Sequence, residues 1–155
     1  MNIYIDCEFN GHGGELISMA LVAEDGAEIY EVLNTSEPIQ PWVEQHVIPY
    51  LNKEPIPNYI FQQKLWYFLA WYTDFNLISD WPDDIKYFMQ SIITKPGEMM
   101  SVPSFSCEVR RDLSSSKSKI PHNALEDCRA IAMLSRELSL LPYEHMYDNP
   151  FHDSP

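Results

Sequence analysis

Basic residues are scarce in this sequence. Its 155 residues include 10 Lys and Arg against 23 Asp and Glu, which gives a formal net charge of −13. Because non-specific affinity for nucleic acid comes from neutralisation of phosphates by Lys and Arg, this balance argues against a protein that coats nucleic acid. It leaves open an enzyme that holds an acidic substrate through bound metal ions.

Cysteine is also scarce, and its pattern argues against two kinds of site. Cys7, Cys107 and Cys128 are odd in number, widely spaced and outside any CxxC or CxxH motif. Neither a disulfide framework nor a structural zinc site is expected from such a pattern. We therefore expect a reducing, cytoplasmic compartment.

Long apolar runs and phosphate-binding loops are missing as well. No apolar run reaches the roughly 18 residues that span a bilayer, and the chain enters a charged strand at once, so we expect neither a membrane anchor nor a signal peptide. The turn at Asn10–Gly14 is not followed by GK[ST], which excludes a P-loop. The 45% hydrophobic content predicts one globular domain over 1–155, with a weakly structured tail over 142–155.

The order of the predicted elements indicates an α/β fold with a mixed five-stranded sheet. Three strands come first and favour an antiparallel meander, after which helices and strands alternate and predict a sheet flanked by helices. The predicted strands are 2–9, 15–23, 28–33, 75–79 and 98–109, and the predicted helices are a short one within 38–50, then 58–73, 84–94 and 123–140. In the short helix, Trp42, Val43, Val47 and Ile48 are expected to face inward.

Two acidic residues interrupt the otherwise apolar first strand. Because side chains alternate along a strand, Asp6 and Glu8 project from one face while Ile3, Ile5 and Cys7 project from the other. Two carboxylates on one face of a central strand repel each other and are costly to bury unless a cation neutralises them. The pair therefore predicts a divalent metal ion.

Two further acidic segments have settings that suit a metal site. Asp80, Asp83 and Asp84 follow the predicted fourth strand, and His122 and Asp127 lie at the start of the last helix. Each has an ordinary explanation when taken alone, since an Asp at a helix start is more often a cap than a ligand. Their combination with the first strand is more informative.

The combined order is Asp-x-Glu in an N-terminal strand, an Asp after a central strand, and His-x-x-x-x-Asp near the C-terminus. The stretches that carry it are YIDCEF at 4–9, LISMALVAEDG at 16–26 and HNALEDCR at 122–129. They resemble the DEDDh family of 3′→5′ exonucleases, which have a ribonuclease H-like fold. Within that family the likeness is to the RNase T-like exoribonucleases, including the bacterial ribonuclease AS type that prefers poly(A).

The resemblance implies a 3′→5′ exoribonuclease that uses two Mg²⁺ ions, for which Mn²⁺ can substitute. Carboxylate oxygens suit these hard cations, and two ions about 3.5–4 Å apart can hold the attacking and leaving oxygens of a phosphodiester. His122 is the implied general base, because imidazole titrates near neutrality. Asp80 and Asp83 remain alternatives for the middle ligand. The favoured ligands are Asp6, Glu8, Asp84 and Asp127.

Substrate contacts are predicted from a basic segment and from aromatic side chains. Four of the ten basic residues lie shortly before His122: Arg110, Arg111, Lys117 and Lys119. A solvated loop is the plain explanation, but beside a metal site these residues are expected to contact the substrate phosphates. Phe9, next to Glu8, is expected to stack the terminal base, ahead of the less favoured Trp66, Trp71 and Trp81.

The expected partner is the 3′ end of a single-stranded RNA, and the resemblance also implies a homodimer in which the second copy completes the substrate groove. A 3′→5′ exonuclease acting on single-stranded DNA is the nearest alternative. A non-catalytic nucleic-acid-binding or protein-binding module on the same fold belongs to a different class. The presence of all five residue types of the family's site argues against that module.

Overall fold

A computed structural model describes residues 1–140, and it confirms the predicted mixed α/β architecture. The strands are β1 (Asn2–Phe9), β2 (Leu16–Ala23), β3 (Glu28–Val32), β4 (Asp74–Ser79), β5 (Ile93–Lys95), β6 (Glu98–Met99) and β7 (Ser104–Val109). The helices are α1 (Pro41–His46), α2 (Asn58–Leu69), α3 (Pro82–Ile92) and α4 (Ala124–Ser139). The predicted tail, 142–155, lies outside the described residues.

One five-stranded sheet has the order β3-β2-β1-β4-β7. The first three strands form the predicted antiparallel meander, and β4 and β7 extend the sheet parallel to β1. This arrangement is consistent with a ribonuclease H-like fold. It places β1 at the centre, between β2 and β4.

Helices cover both faces of the sheet. On one face, Ile5 and Leu77 pack with Phe61 of α2 and Phe88 of α3 in the largest apolar cluster. On the other face α4 covers β1 and β2, where Ile131 joins a second apolar cluster. The alternation along β1 thus sends odd-numbered side chains towards α2 and α3 and even-numbered ones towards α4.

The pairing of β1 with β4 creates the crevice in which the acidic residues meet. The two strands pair from Asn2 opposite Asn76 to Tyr4 opposite Ile78, and β1 then continues to Phe9 without a β4 partner. In open α/β sheets, ligands bind in crevices outside the carboxyl ends of such strands. The second half of β1 borders this crevice.

Two details of the chain differ from the prediction. Helix α3 begins at Pro82, two residues before the predicted start, because proline is well suited to the first position of a helix. The predicted strand over 98–109 is divided into β6 and β7, and β6 forms a hairpin with β5 around Gly97, whose φ is 77°. Within residues 1–140, no helix combines the length and the apolar character needed to cross a bilayer.

The orientation of α3 can be tested with two adjacent residues. Phe88 is fully buried and Met89 is 37% exposed. Phe88→Ala is expected to lower the free energy of unfolding by about 3–5 kcal/mol, because it leaves a cavity against the sheet. Met89→Ala should change it by no more than about 0.5 kcal/mol. Urea denaturation measures both values, and equal costs would contradict the orientation.

Candidate active site

Strand β1 supplies the first two carboxylates of the site. Ile5 and Cys7 are buried in the cluster beneath α2 and α3, so Asp6 and Glu8 project from the opposite face, as their spacing predicted. Both acidic side chains are half-buried. They lie in the part of β1 that has separated from β4.

The segment that joins β4 to α3 supplies the next carboxylates. Asp84 is 2% exposed and lies in the first turn of α3. Its Oδ1 accepts a hydrogen bond from the backbone N–H of Cys7 at 3.2 Å, and its Oδ2 accepts one from the Ser79 hydroxyl at 2.6 Å. These two bonds direct the carboxylate across the crevice towards β1. Asp80, at the end of β4, lies on the same side.

Asp83 points elsewhere. Its carboxylate accepts hydrogen bonds from Lys86 at 2.9 Å and from the Trp81 indole at 3.1 Å. It belongs to neither group of converging acidic residues. Of the three candidates for the middle ligand, the structure therefore brings Asp84 and Asp80 into the acidic groups and leaves Asp83 outside them, on the wall of the adjoining cavity.

Helix α4 supplies the last carboxylate. Asn123 caps the helix by accepting a hydrogen bond from the Glu126 N–H, and its amide donates to the Tyr50 carbonyl at 2.7 Å. Asp127 is buried in the helix, where its Oδ2 accepts a hydrogen bond from the backbone N–H of His122 at 3.0 Å. Its buried Oδ1 has no hydrogen-bond partner among the described residues.

His122 lies in the loop before α4, and its backbone is left-handed, with φ at 66°. Because α4 begins at Ala124, two residues after the histidine, His122 and Asp127 do not share a turn of the helix. The two residues are instead joined through the histidine backbone. The half-buried His122 side chain lines the cavity next to Glu8.

The five carboxylates form two groups that share Asp6. In each group, oxygens from three residues lie within 4.8 Å of one another. The groups are Asp6 with Asp80 and Asp84, and Asp6 with Glu8 and Asp127. Among residues 1–140, no Lys or Arg forms an ion pair with any of these five side chains.

Burial is the main cause that raises the pKa of every member, and repulsion from neighbouring carboxylates adds to it for all but Asp80. Burial, followed by repulsion from Asp84 and Glu8, raises the pKa of Asp6 well above its ordinary value. Burial and the neighbouring Asp127 raise the pKa of Glu8 to about 8, and burial raises that of Asp84 to about 7. Burial also raises the pKa of Asp80 and of Asp127.

These residues fit a divalent cation. Carboxylate oxygens are the ligands that Mg²⁺ and Mn²⁺ prefer, and a cation would stabilise the charged carboxylates against both burial and mutual repulsion. The buried Asp127 Oδ1, which lacks a hydrogen-bond donor, also has the position and charge of a ligand atom. The site can therefore hold metal ions through this chain's own side chains.

A cavity of about 340 Å³ borders the acidic residues. Its wall includes Glu8, Phe9, Trp42, Trp81 and His122. Phe9 stacks on Tyr87 with ring centroids 5.0 Å apart, so it is fixed in place at the end of β1. The cavity therefore combines aromatic walls with two carboxylates, Glu8 and Asp83, and two histidines, His12 and His122.

Trp42 belongs to the cavity wall, which the sequence did not indicate. It was expected to face inward, but Val43 and Val47 are buried whereas Trp42 is 53% exposed and Ile48 is also exposed. Its ring meets the His122 imidazole edge to face, with centroids 5.3 Å apart. Helix α1 has six residues, too few for periodicity to identify its inner face; only the proline at its first position was informative.

The predicted phosphate contacts are spread over the surface. Arg111 lies beside the acidic residues, where its guanidinium donates to the Asp80 carbonyl and lies 5.1 Å from the Trp81 ring centre. Arg110 bonds to Asp112 and Ser135, and Lys117 pairs with Glu137 in the last turns of α4. Lys119 is exposed. The structure thus brings one of the four, Arg111, next to the carboxylates.

Comparison with known proteins gives a partial match. Two proteins from strains of Mycobacterium tuberculosis, both named 3′-5′ exoribonuclease, are 46% identical to this chain over 55 residues. The matched segment covers 33% of this chain and 33% of each relative. Over that third, the chain is similar to exoribonucleases. No family model matches the chain.

The raised pKa values predict how stability depends on pH. A carboxyl group whose pKa is higher in the folded state stabilises that state most when it is protonated, so the contribution is lost as the pH rises from about 4 towards 8. Without divalent cations, the free energy of unfolding should fall over this range by on the order of 2–4 kcal/mol. Urea denaturation at a series of pH values measures the profile.

Mg²⁺ or Mn²⁺ should raise the midpoint of thermal unfolding more at pH 7.5 than at pH 5.5, because deprotonated carboxylates bind the cation. Asp84→Asn should flatten the profile, whereas Asp83→Asn should leave it unchanged, since its hydrogen bonds to Lys86 and Trp81 lower the pKa of Asp83. A flat profile in the unaltered protein would contradict the electrostatic description.

Proposed function

We propose that this protein is a metal-dependent 3′→5′ exoribonuclease of the DEDDh, RNase T-like kind, resembling the ribonuclease AS type. The observation that carries the proposal is the convergence of five carboxylates at the crevice beside β1, with His122 next to them. The partial similarity to proteins named 3′-5′ exoribonuclease supports the same reaction. The three free cysteines are compatible with a cytoplasmic enzyme.

Four carboxylates would hold two Mg²⁺ ions in this proposal: Asp6, Glu8, Asp84 and Asp127. Asp6 belongs to both groups of converging oxygens and would serve both ions. Asp80 lies in the group with Asp84 and would adjust the negative charge around the ion held by that group. When bound, Mg²⁺ supplies Lewis-acid chemistry, which acidifies the attacking water and neutralises charge on the phosphodiester.

His122 would take the proton from the attacking water. Its backbone N–H is bonded to Asp127, which fixes the loop relative to a ligand residue, and its imidazole lines the cavity beside Glu8. The edge of Trp42 restricts the ring from the other side. A histidine held in this way combines a fixed position with access to water, as a general base requires.

The cavity would hold the terminal nucleotide. Its volume of about 340 Å³ lies within the range of ligand sites, which is about 300–1,000 Å³. Phe9 and Trp42 offer aromatic surfaces on which a base can stack, and stacking tolerates different bases. Arg111, at the edge of the carboxylates, is placed to meet the phosphate of an adjacent nucleotide.

The catalytic assignment can be tested with two neighbouring aspartates. Asp84→Asn is expected to lower the rate of RNA shortening in Mg²⁺ at least 100-fold, because it removes a ligand charge from the site. Asp83→Asn, one residue away, leaves both acidic groups intact but alters the cavity wall, so it should change the rate much less, by under about tenfold. The measurement is a time course on a 5′-labelled RNA oligomer resolved by gel.

Equal losses in the two variants would contradict the choice of Asp84. The same time course with a DNA oligomer of matching sequence separates RNA from DNA hydrolysis: faster loss of the DNA would favour a DNA exonuclease. A protein that binds RNA but degrades neither substrate with Mg²⁺ or Mn²⁺ would instead be a binding module.

The phosphate contacts can be tested through the salt dependence of binding. Replacing Arg110, Arg111, Lys117 and Lys119 together with Ser should reduce the slope of log affinity against log salt concentration. In the single variants, Arg111→Ser should reduce the slope by about 0.7, since one phosphate contact with a single strand is lost. Lys117→Ser is the matched control, because this lysine is paired with Glu137. Fluorescence anisotropy with Asp84→Asn protein avoids cleavage, and an unchanged slope in the fourfold variant would exclude the contacts.

A further inference from the structure

Buried polar atoms without a partner are concentrated at one of the two acidic groups, that of Asp6, Glu8 and Asp127, which we call the Glu8–Asp127 group. Three such atoms make no hydrogen bond of standard geometry within residues 1–140: Ser18 Oγ, Ser118 Oγ and Asp127 Oδ1. The fourth, Glu31 Oε2, lies 3.0 Å from a lysine ammonium that neutralises it. Because an unpaired buried polar atom costs free energy, each of the other three needs an explanation.

Ser18 lies directly across the sheet from Glu8. The antiparallel register of β1 and β2 pairs the two residues, and the Cβ atoms of such a pair lie about 4.5–5.5 Å apart. Ala20 and Val22, which alternate with the same period along β2, pack in the apolar cluster beneath α4, so Ser18 shares the face of Glu8. The Ser18 side chain is 0% exposed. A fully buried hydroxyl therefore lies beside one of the proposed metal ligands.

Ser118 lies beside Asp127. Burial raises the pKa of Asp127, and the Ser118 hydroxyl is close enough to this carboxyl to oppose the rise. The Asp127 Oδ2 already accepts the His122 N–H at 3.0 Å, which leaves Oδ1 as the oxygen without a donor. An unpaired donor and an unpaired acceptor thus lie next to each other in the Glu8–Asp127 group.

The other acidic group shows what such a hydroxyl does when it is paired. The Ser79 hydroxyl donates to Asp84 Oδ2 at 2.6 Å, and the Cys7 N–H donates to Oδ1 at 3.2 Å. Both oxygens of the Asp84 carboxylate are therefore oriented by the protein alone. Ser18 and Ser118 supply donors of the same kind to Glu8 and Asp127, but their bonds are not formed.

A divalent cation would complete these contacts. The Glu8–Asp127 group combines three carboxylates, and no Lys or Arg of residues 1–140 forms an ion pair with them. Carboxylates that ligate a metal ion are in turn hydrogen-bonded by the surrounding protein, which orients them. Hydrogen bonds to a charged carboxylate are also stronger than those between neutral groups. A buried water molecule would pair the same atoms but would not offset the negative charge.

We propose that Ser18 and Ser118 are positioning residues for a divalent cation, and that their hydroxyls donate to Glu8 and Asp127 when the cation binds. The two serines act through the carboxylates and need no contact with the cation or with RNA. Outer contacts of this kind contribute about 10–100-fold to metal affinity. This inference rests on the metal-binding part of the proposed function.

A purely structural role for Ser18 makes the opposite predictions. Burial raises the pKa of Tyr30 to about 12, and the nearby Ser18 hydroxyl opposes that rise, while the Tyr30 hydroxyl itself donates to the Leu51 carbonyl at 2.8 Å. If Ser18 served Tyr30, its loss would lower stability and leave cation binding unchanged. If Ser18 serves Glu8, its replacement by Ala removes an unsatisfied hydroxyl from the metal-free protein, which is neutral or stabilising.

Mn²⁺ binding and thermal unfolding test the proposal together. Electron paramagnetic resonance of free Mn²⁺ measures the affinity of the full-length protein, and circular dichroism measures the unfolding midpoint without divalent cations. Ser18→Ala and Ser118→Ala should each weaken one Mn²⁺ site about 10-fold, while the midpoint without cations stays unchanged or rises. Ser118→Thr, which keeps the hydroxyl, should retain the affinity of the unaltered protein.

Ser135→Ala is the matched control. The buried Ser135 hydroxyl accepts hydrogen bonds from the Tyr4 hydroxyl at 2.9 Å and from the Arg110 guanidinium at 3.1 Å, and it lies outside both acidic groups. Loss of this paired hydroxyl leaves two donors without their acceptor. Ser135→Ala should therefore lower the unfolding midpoint and leave the Mn²⁺ affinity unchanged.

The outcomes separate this proposal from the proposed function. Unchanged Mn²⁺ affinity in either alanine variant, beside an unaltered protein that binds Mn²⁺, would overturn the role of that serine and leave the metal site standing. A lower unfolding midpoint in Ser18→Ala with full Mn²⁺ affinity would assign this serine to Tyr30. An unaltered protein that binds no Mn²⁺ would overturn both proposals.

Discussion

The repulsion among five carboxylates beside β1 is the constraint on which the rest of the site depends. These side chains come from β1, the β4–α3 junction and α4, and the fold holds their oxygens within a few ångströms of one another. Elsewhere the few cations of the chain neutralise several of its acidic groups. Glu31 is paired with Lys53 and Lys64, and Glu28 is paired with Arg129. In the acidic site, no Lys or Arg of the described chain pairs with the clustered carboxylates, and burial raises their pKa values.

The backbone explains how the repulsion is tolerated. Separation of β1 from β4 leaves the Cys7 N–H free to bond Asp84, and the left-handed turn at His122 brings its N–H to Asp127. Asp84 and Asp127 are thus each fixed by a backbone donor from outside their own helix. Asn123 ties the start of α4 to the loop after α1, the helix that carries Trp42. The acidic residues, the histidine and the aromatic wall are therefore parts of one connected framework.

Much of the sheet and of the acidic site was predictable, because these features depend on short-range sequence patterns. Alternation along β1 was enough to put Asp6 and Glu8 on one face, and the order of strands and helices was enough to predict the sheet. The middle ligand was not decidable from sequence, because Asp80, Asp83 and Asp84 share one turn. The hydrogen bonds of Asp83 to Lys86 and Trp81 distinguish it only once α3 is in place.

Other features could not be predicted from the sequence, and the reasons are physical. Strands of two and three residues, such as those of the β5–β6 hairpin, have no periodicity to detect. The basic segment looked uniform in sequence, but long-range pairing with Glu137 removes Lys117 from the vicinity of the carboxylates and leaves Arg111 there. The exposed outer side of α2 could not be predicted from the sequence, because apolar residues all round a helix are typical of a buried helix.

The central claim is that the acidic crevice removes nucleotides from a free 3′ end. The most direct measurement follows a 5′-labelled single-stranded RNA in Mg²⁺, beside the same RNA with its 3′ end chemically blocked. We predict products that shorten one nucleotide at a time from the free 3′ end, no shortening of the blocked RNA, and no reaction in EDTA. Internal fragments, or equal degradation of the blocked RNA, would contradict the account.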